Sequence, residues 1–341
     1  MHSTRPKPLH RLCGRPMVFW VVDALKGLDL ARMVVVAGHG STRLVKTLAE
    51  AAPAGVPVEV VEQPAQRGTG DALSVALTAF NDEDDGEMDD LVVLPGDTPL
   101  LRQGTIAALV RAQREAGAAA TLLTARLADP TGYGRVVRAR DGRVAAIVEE
   151  ADASTEERKI DEVGTSVYVF RRSVLAPALR RLSPNNAQGE YYLTDVIAVL
   201  HDAGYPVASM VVDDPMEASG VNDRSQLAAA EAVLRARVNE QWMRRGVTML
   251  DPTHTYLDST VELAEDVTIF PGTILQGLTR VATGAEVGPG THLIDCVVGA
   301  RAQVRSTSAE QVTIGEEAVV GPWVWLEPGT VVAPGSVIRS A

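Results

Sequence analysis

Phosphate chemistry needs a cation on the phosphates and a metal ion held by oxygen ligands, and the sequence offers residues of both types. Lys7 lies between Pro6 and Pro8. A lone lysine would be read as a solvated surface charge; the flanking prolines argue for a fixed place. Asp97 follows the apolar run Leu91–Leu94 through Pro95 and Gly96. That puts a carboxylate just past the end of a strand, where a hard-cation site belongs; the bland alternative is a turn or helix-capping aspartate. Gly68-Thr69 precedes a helical pattern, and small residues there let backbone groups approach a flat ring whose edge Gln63 can pair with; a plain glycine-rich turn is the competing reading. Glu149 follows Ile147-Val148 and is otherwise a strand-end surface charge.

The elements around these residues alternate. Met33–Ala37, Val58–Val61 and Leu91–Leu94 are short apolar runs, separated by helical patterns over Val18–Leu25, Leu44–Ala52, Ala72–Phe80 and Thr105–Ala116. Runs with little polar alternation suit a parallel sheet covered on both faces, so residues 17–213 predict a doubly wound, Rossmann-like α/β domain. In such sheets ligands bind beyond the carboxyl ends of the strands. A long helical pattern follows from about Arg224 to Arg245, carried by Leu227, Ala230, Val233, Leu234 and Val238.

From residue 259 the period becomes six. Leu263, Ile269, Leu275, Val281, Val287 and Leu293 are evenly spaced, and the phase two residues earlier runs from Val261 through Val267, Thr273, Thr279, Ala285 and Thr291 to Val297. After an irregular stretch at 299–311 the period returns in Ile314, Val320, Leu326, Val332 and Ile338. Hexads of this regularity predict a β-helix, each hexad making one short strand and a corner.

Bulk properties exclude several classes. The 341 residues suggest two domains, and 46% hydrophobic residues are enough for a sizeable core. A formal charge of −12 argues against a nucleic-acid partner. No apolar run reaches membrane-spanning length, no signal peptide opens the chain, and the only two cysteines, Cys13 and Cys296, form no CxxC, so a cytoplasmic location fits. The six histidines form no ligand-type cluster.

Seven strings are more specific than the fold: Arg5-Pro6-Lys7-Pro8-Leu9-His10 with Gly14-Arg15-Pro16-Met17, Gln63-Pro64-Ala65-Gln66-Arg67-Gly68-Thr69-Gly70, Pro95-Gly96-Asp97-Thr98-Pro99-Leu100, Asp129-Pro130-Thr131-Gly132-Tyr133-Gly134-Arg135, Ile147-Val148-Glu149-Glu150, the run from Asn186 to Asp195, and Gly220-Val221-Asn222-Asp223-Arg224. In this order the chain resembles the bacterial bifunctional N-acetylglucosamine-1-phosphate uridyltransferase / glucosamine-1-phosphate acetyltransferases over nearly its whole length. The resemblance implies a nucleotidyltransferase domain at 1–223, a helical arm at 224–250 and a left-handed parallel β-helix, partial here, at 251–341. It implies UTP and N-acetylglucosamine 1-phosphate as substrates, UDP-N-acetylglucosamine for the cell envelope as product, Mg²⁺ as cofactor and a homotrimer. Lys7 would contact the phosphates, Asp97 and Asn222 the metal, and Gln63, Gly68, Thr69 and Gly96 the nucleotide. Gly134, Glu149, Gly164 and Asn222 would border the sugar.

Three departures shape the expectations. The family opens with a strand and a glycine-rich phosphate loop, whereas Met1 aligns with the end of that loop; the first central strand is expected to be missing. Gly164 stands where the family usually has Asn, and Pro95 where it often has Tyr, which opens the choice of hexose 1-phosphate. The acetyltransferase residues would fall beyond Ala341, and the family's Arg-Pro-Gly turn is Glu327-Pro328-Gly329, so no acetyl-CoA-dependent activity is expected. The competing reading is a degenerate, non-catalytic paralogue that serves as a trimeric scaffold.

Overall fold

The computed structural model describes residues 1, 3–38, 47–48, 56–80 and 90–340. The helix expected over 44–52 lies outside these residues apart from Thr47 and Leu48, which are helical. The chain divides into two compact units, Met1–Leu9 with Met17–Asn222, and His10–Pro16 with Asp223–Ala341.

In the first unit the elements follow in order as α1 (Met17–Asp23), β1 (Met33–Gly38), β2 (Val58–Gln63), α2 (Thr69–Leu77), β3 (Asp90–Val93), α3 (Gln103–Ala116), β4 (Ala120–Arg126), β5 (Arg135–Arg138), β6 (Val144–Val148), β7 (Glu162–Arg171), α4 (Arg172–Leu179), α5 (Asp195–Asp202) and β8 (Val207–Val211). Helix α3 forms because Ile106, Leu109, Val110 and Gln113 repeat on one buried face, and Gly117 closes it with φ +55°. A six-stranded sheet runs β8-β4-β7-β5-β6, with β3 also pairing to β7. The sheet is mixed: β4 and β8 are parallel, while β7 is antiparallel to β3, β4 and β5. Strand β4 is buried on both faces from Ala120 to Ala125, which its unbroken apolar and threonine run requires. Strands β1 and β2 form a separate parallel pair. Val34 and Val36 of β1 and Leu91 and Val93 of β3 are only partly buried, yet they pack against one core with Leu122, Tyr168 and Phe170.

Register aligns the strand ends. Val93 pairs with Tyr168, Thr124 with Gly164, Val211 with Thr124, and Arg135 with both Val148 and Val163. The carboxyl ends of β3, β4, β6 and β8 and the amino ends of β5 and β7 therefore share one edge of the sheet. Asp97, Gly134, Glu149 and Gly164 all leave from that edge.

The second unit carries the long helix α6 (Arg224–Met243), capped by the Asp223 side chain accepting from Gln226 N at 2.7 Å. It buries Ala230, Leu234 and Val238 at four-residue spacing. Three parallel ladders of two- to four-residue strands then build a solenoid of about five turns. Glu262 pairs with Arg280, Thr268 with Glu286 and Ile274 with His292, each eighteen residues on. Interior threonines are satisfied by their own corners: Thr273 Oγ1 donates to Phe270 O and Thr279 Oγ1 to Gln276 O, both at 2.7 Å.

The expected hexad phase fails at one point. Val297 is 46% exposed, and Cys296 and Val298 face inward instead. The coil has lost a residue at the Asp295 corner, where φ is +51°. The stretch 299–311, irregular in sequence, continues the solenoid, with short strands at Gln303–Val304 and Thr307–Glu310; there the rung contracts, so that His292 pairs with Ser308, sixteen residues on.

Candidate functional site

Leu9 is buried in a small core with Val18, Ala37 and Leu48, and the turn Lys7–Leu9 is closed by Leu9 N donating to Pro6 O at 3.0 Å. Burying Leu9 leaves Lys7, two residues earlier, pointing out. Its ammonium donates to Asp97 Oδ2 and, at 2.6 Å, to Asn222 Oδ1. Asp97 and Asn222 lie in loops far apart in sequence, yet Val221 N donates to Asp97 O at 2.9 Å and fixes one loop beside the other. Gly220 stands beside both: a Cβ there would meet Asn222 Nδ2 at 3.8 Å and Asp97 Oδ1 at 3.9 Å, ordinary contact distances. Gly96, beside Asp97, has open space where a side chain would go.

The arrangement is a small oxygen cradle already holding a positive charge. A carboxylate and an amide oxygen converge on one ammonium, and the pair is partly exposed. Among the described residues no group of three or more His, Cys, Asp or Glu side chains could hold a metal ion. One carboxylate with one amide suits a hard ion that keeps most of its water, as Mg²⁺ does, and does not suit a dedicated zinc or calcium cage.

Gly134, Glu149 and Gly164 form a second group around Ile147. A Cβ on Gly134 would lie 2.7 Å from Ile147 Cγ2 and 3.5 Å from Glu149 Oε2; one on Gly164 would lie 3.2 Å from Ile147 Cδ1. Gly164 N donates to Gly134 O at 2.9 Å, so these glycines let strands β5, β6 and β7 close on each other. Glu149 is half-buried and accepts from Thr194 Oγ1 at 2.9 Å. Burial raises its pKa above that of an ordinary glutamate, with Asp195 and Asp152 adding to the rise and the Thr194 bond opposing it. Asp195 is raised as well, again first by burial and then by Asp152.

The third group, Gln63, Gly68 and Thr69, is tied to the segment 190–193. Gly68 has φ +108°, and a Cβ there would sit 2.6 Å from Tyr191 O. Gly70 N donates to Tyr191 O and Tyr191 N to Arg67 O, both at 2.8 Å, and Leu193 N donates to Thr69 Oγ1 at 3.0 Å. Gln63 is buried, its amide nitrogen donating to Asp71 Oδ2 at 2.8 Å and to Gly68 O at 3.3 Å. The smallness of Gly68 is thus already required by a neighbouring backbone.

Sequence reasoning assigned no role to Thr194, Asp195, Asp152, Arg135 or Glu150. Arg135 is 2% exposed; its guanidinium donates to Tyr133 O and lies 2.7 Å from Glu150 Oε2. It thereby joins the Tyr133-Gly134 turn to the residue after Glu149. The signal was available, since four of the five stand inside the strings quoted above, but a charged residue in a motif does not announce that it is buried.

The sequence model of the nucleotidyl transferase family matches residues 2–243. The "Bifunctional protein GlmU" of Desulfitobacterium hafniense (strain DSM 10664 / DCB-2) is 44% identical over 331 residues, covering 97% of this chain and 70% of that protein. Proteins of the same name from Mycolicibacterium vanbaalenii and Streptomyces coelicolor are each 44% identical over 97% of this chain and 67% of their own length. Together with a cation cradle at the carboxyl edge of its sheet, these likenesses place the chain: it belongs to the nucleotidyl transferase family, as a relative of the GlmU proteins.

Proposed function

We propose that the chain transfers a uridylyl group from UTP to N-acetylglucosamine 1-phosphate, giving UDP-N-acetylglucosamine and pyrophosphate. An oxygen of the sugar phosphate attacks the α-phosphorus of UTP, the bond from that phosphorus to the β-phosphate bridge breaks, and pyrophosphate leaves in line. The observation that carries this reading is the convergence of Lys7, Asp97 and Asn222, from three separate segments, on one point. Catalysis of this kind is mostly positioning and charge neutralisation. Asp97 and Asn222 would hold Mg²⁺, and the Lys7 ammonium standing between their oxygens supports a cation there. Mg²⁺ bound there would neutralise phosphate oxygens. Lys7 would add a second positive charge to the phosphates, as a compact donor on a flexible stem.

Gln63, Gly68, Thr69 and Gly96 would line the nucleotide, and Gly134, Glu149, Gly164 and Asn222 the sugar. Glu149 would accept from a sugar hydroxyl while Thr194 holds its other oxygen. Gly164 has no side-chain amide to offer the sugar, and its backbone N–H is taken by Gly134 O, so the contacts that identify the hexose fall more heavily on Glu149. The test is pyrophosphate release from UTP with N-acetylglucosamine 1-phosphate, with and without Mg²⁺, repeated with the other nucleoside triphosphates and with glucose 1-phosphate. Release only with UTP, the acetamido sugar and the metal supports the assignment; turnover favouring another nucleotide or sugar reassigns the substrate; no release from any combination refutes it.

A homotrimer through the solenoid belongs to the same proposal. Its flanks expose Trp323 (77%), Val331 (74%), Leu278 (67%) and Trp325 (65%), large apolar groups of the kind that association covers. Light scattering reads the assembly, and Trp325→Glu with Val331→Glu should release monomer. No helix among the described residues is long and apolar enough to cross a membrane.

A further inference from the structure

The two oxygens assigned to the metal are the two oxygens that Lys7 already occupies. Its Nζ donates to Asp97 Oδ2 and to Asn222 Oδ1. In the proposed reaction the same ammonium belongs on the triphosphate, so Lys7 has two alternative anionic partners. We propose that Lys7 is an internal competitor for the metal cradle: in the free enzyme its ammonium fills the space between Asp97 and Asn222, and a triphosphate draws it off. The chain then takes metal and nucleotide together and binds free metal poorly. This inference rests on the functional reading above.

The geometry supports each part. A monovalent and a divalent cation cannot share one carboxylate oxygen without strong repulsion, so occupancy is exclusive. The pair is only partly buried, so the ammonium leaves it at modest cost. The anchor of the lysine is its neighbour Leu9, in the core, while the four-carbon stem of Lys7 remains free to turn. The cradle does not depend on Lys7 for its shape, because Val221 N to Asp97 O holds the two loops together without it. Removing the ammonium should therefore leave a ready site.

The experiment is Mn²⁺ binding to the whole chain without nucleotide, read by the electron paramagnetic resonance of free Mn²⁺, for the wild type, Lys7→Met and Asp97→Asn. Lys7→Met should bind about three- to ten-fold more tightly, the equivalent of a partly exposed ion pair. Asp97→Asn should lose binding. In parallel, acetylation of Lys7 in the wild type, followed by mass spectrometry, should quicken at least about twofold when Mn²⁺ is added, as the ammonium is freed. Lys7→Met binding no more tightly overturns the proposal. Tighter binding with unchanged labelling overturns it too, since the gain then reflects only a charge removed from the neighbourhood. If Asp97→Asn binds Mn²⁺ as the wild type does, the metal site itself is misassigned, and the functional reading fails along with this inference; if Asp97→Asn weakens binding while Lys7→Met gains nothing, only the competition is wrong.

Discussion

Replacing Arg135 by Met tests whether a buried guanidinium holds the proposed sugar end of the site in shape. The side chain is 2% exposed, and its charge is matched by Glu150, a third exposed. Breaking a fully buried pair from one side costs about 3–5 kcal/mol, because the remaining charge is stranded. Here the stranded partner is Glu150: its Oε2 is buried, but the side chain as a whole is a third exposed and Arg158 approaches Oε1 at 3.7 Å, so the penalty drops to roughly 2 kcal/mol. Losing the donor to the Tyr133 carbonyl adds about 1 kcal/mol. Arg135 Nε is buried without a partner, and Met relieves that burden, which holds the total near 2–3 kcal/mol. In urea denaturation the midpoint should fall with little change in slope. Arg135→Met and Glu150→Gln should be coupled by at least about 1 kcal/mol in a double-mutant cycle. Activity should show a raised KM for the sugar 1-phosphate and an unaltered KM for the nucleotide, because the Tyr133-Gly134 turn loosens while the Gln63–Thr69 loop does not. A loss under about 1 kcal/mol with no coupling would falsify the claim that this pair holds the turn.

Three further substitutions probe the other groups. Gly68→Ala forces a Cβ against Tyr191 O at a φ of +108°, and should cost about 2–3 kcal/mol in chemical denaturation, with the nucleotide KM rising; an alanine tolerated at no cost would show that the loop is not clamped as described. Asp97→Asn should lower metal-dependent turnover by about 10³-fold, while stability changes by less than about 1 kcal/mol, since the pair with Lys7 is partly exposed. Glu149 has a folded pKa above its unfolded one, so the folded state binds the extra proton: its contribution to stability is complete below the unfolded value and is lost as pH rises through the folded value. Glu149→Gln should thus be more stable than the wild type at neutral pH, with the difference vanishing in acid. The wild-type KM for the sugar 1-phosphate should rise on acidification sooner than an ordinary glutamate would allow, and Glu149→Gln should flatten that limb of the pH profile.

The sequence was most legible where one residue type answers one backbone need. Leu263, Ile269 and Leu275 are buried because every coil repeats the same corner, so a six-residue period reports the solenoid directly. It misled at 296–298 because Cys296, Val297 and Val298 are all apolar: pattern alone cannot choose which two face inward, and the deciding feature is a corner one residue shorter than that of the turn before, since Gln276 pairs with Ile294 but Arg280 with Val297. The mixed character of the first sheet was hidden for a similar reason. The Val167–Phe170 run of strand β7 reads as apolar whichever way it runs, and its direction is set by pairing with β3, some eighty residues away.

The site divides along the same line. Lys7, Asp97 and Asn222 were readable as a set only through the strings around them, being 90 and 215 residues apart, and the structure brings their side chains into contact. Gly68 and Thr69, read as room for a flat ring, serve Tyr191 and Leu193 as well, more than 120 residues downstream. A glycine in a motif therefore says that something approaches closely, and leaves open whether it is substrate or the chain's own backbone. What the strings share is an address. Asp97, Gly134, Glu149 and Gly164 leave the sheet at the edge where β3, β4, β6 and β8 end, because that edge is where backbone groups run out of ladder partners and side chains are free to turn toward a ligand. Motif spacing thus locates the edge, and strand register, which no string encodes, decides which members of each string meet there.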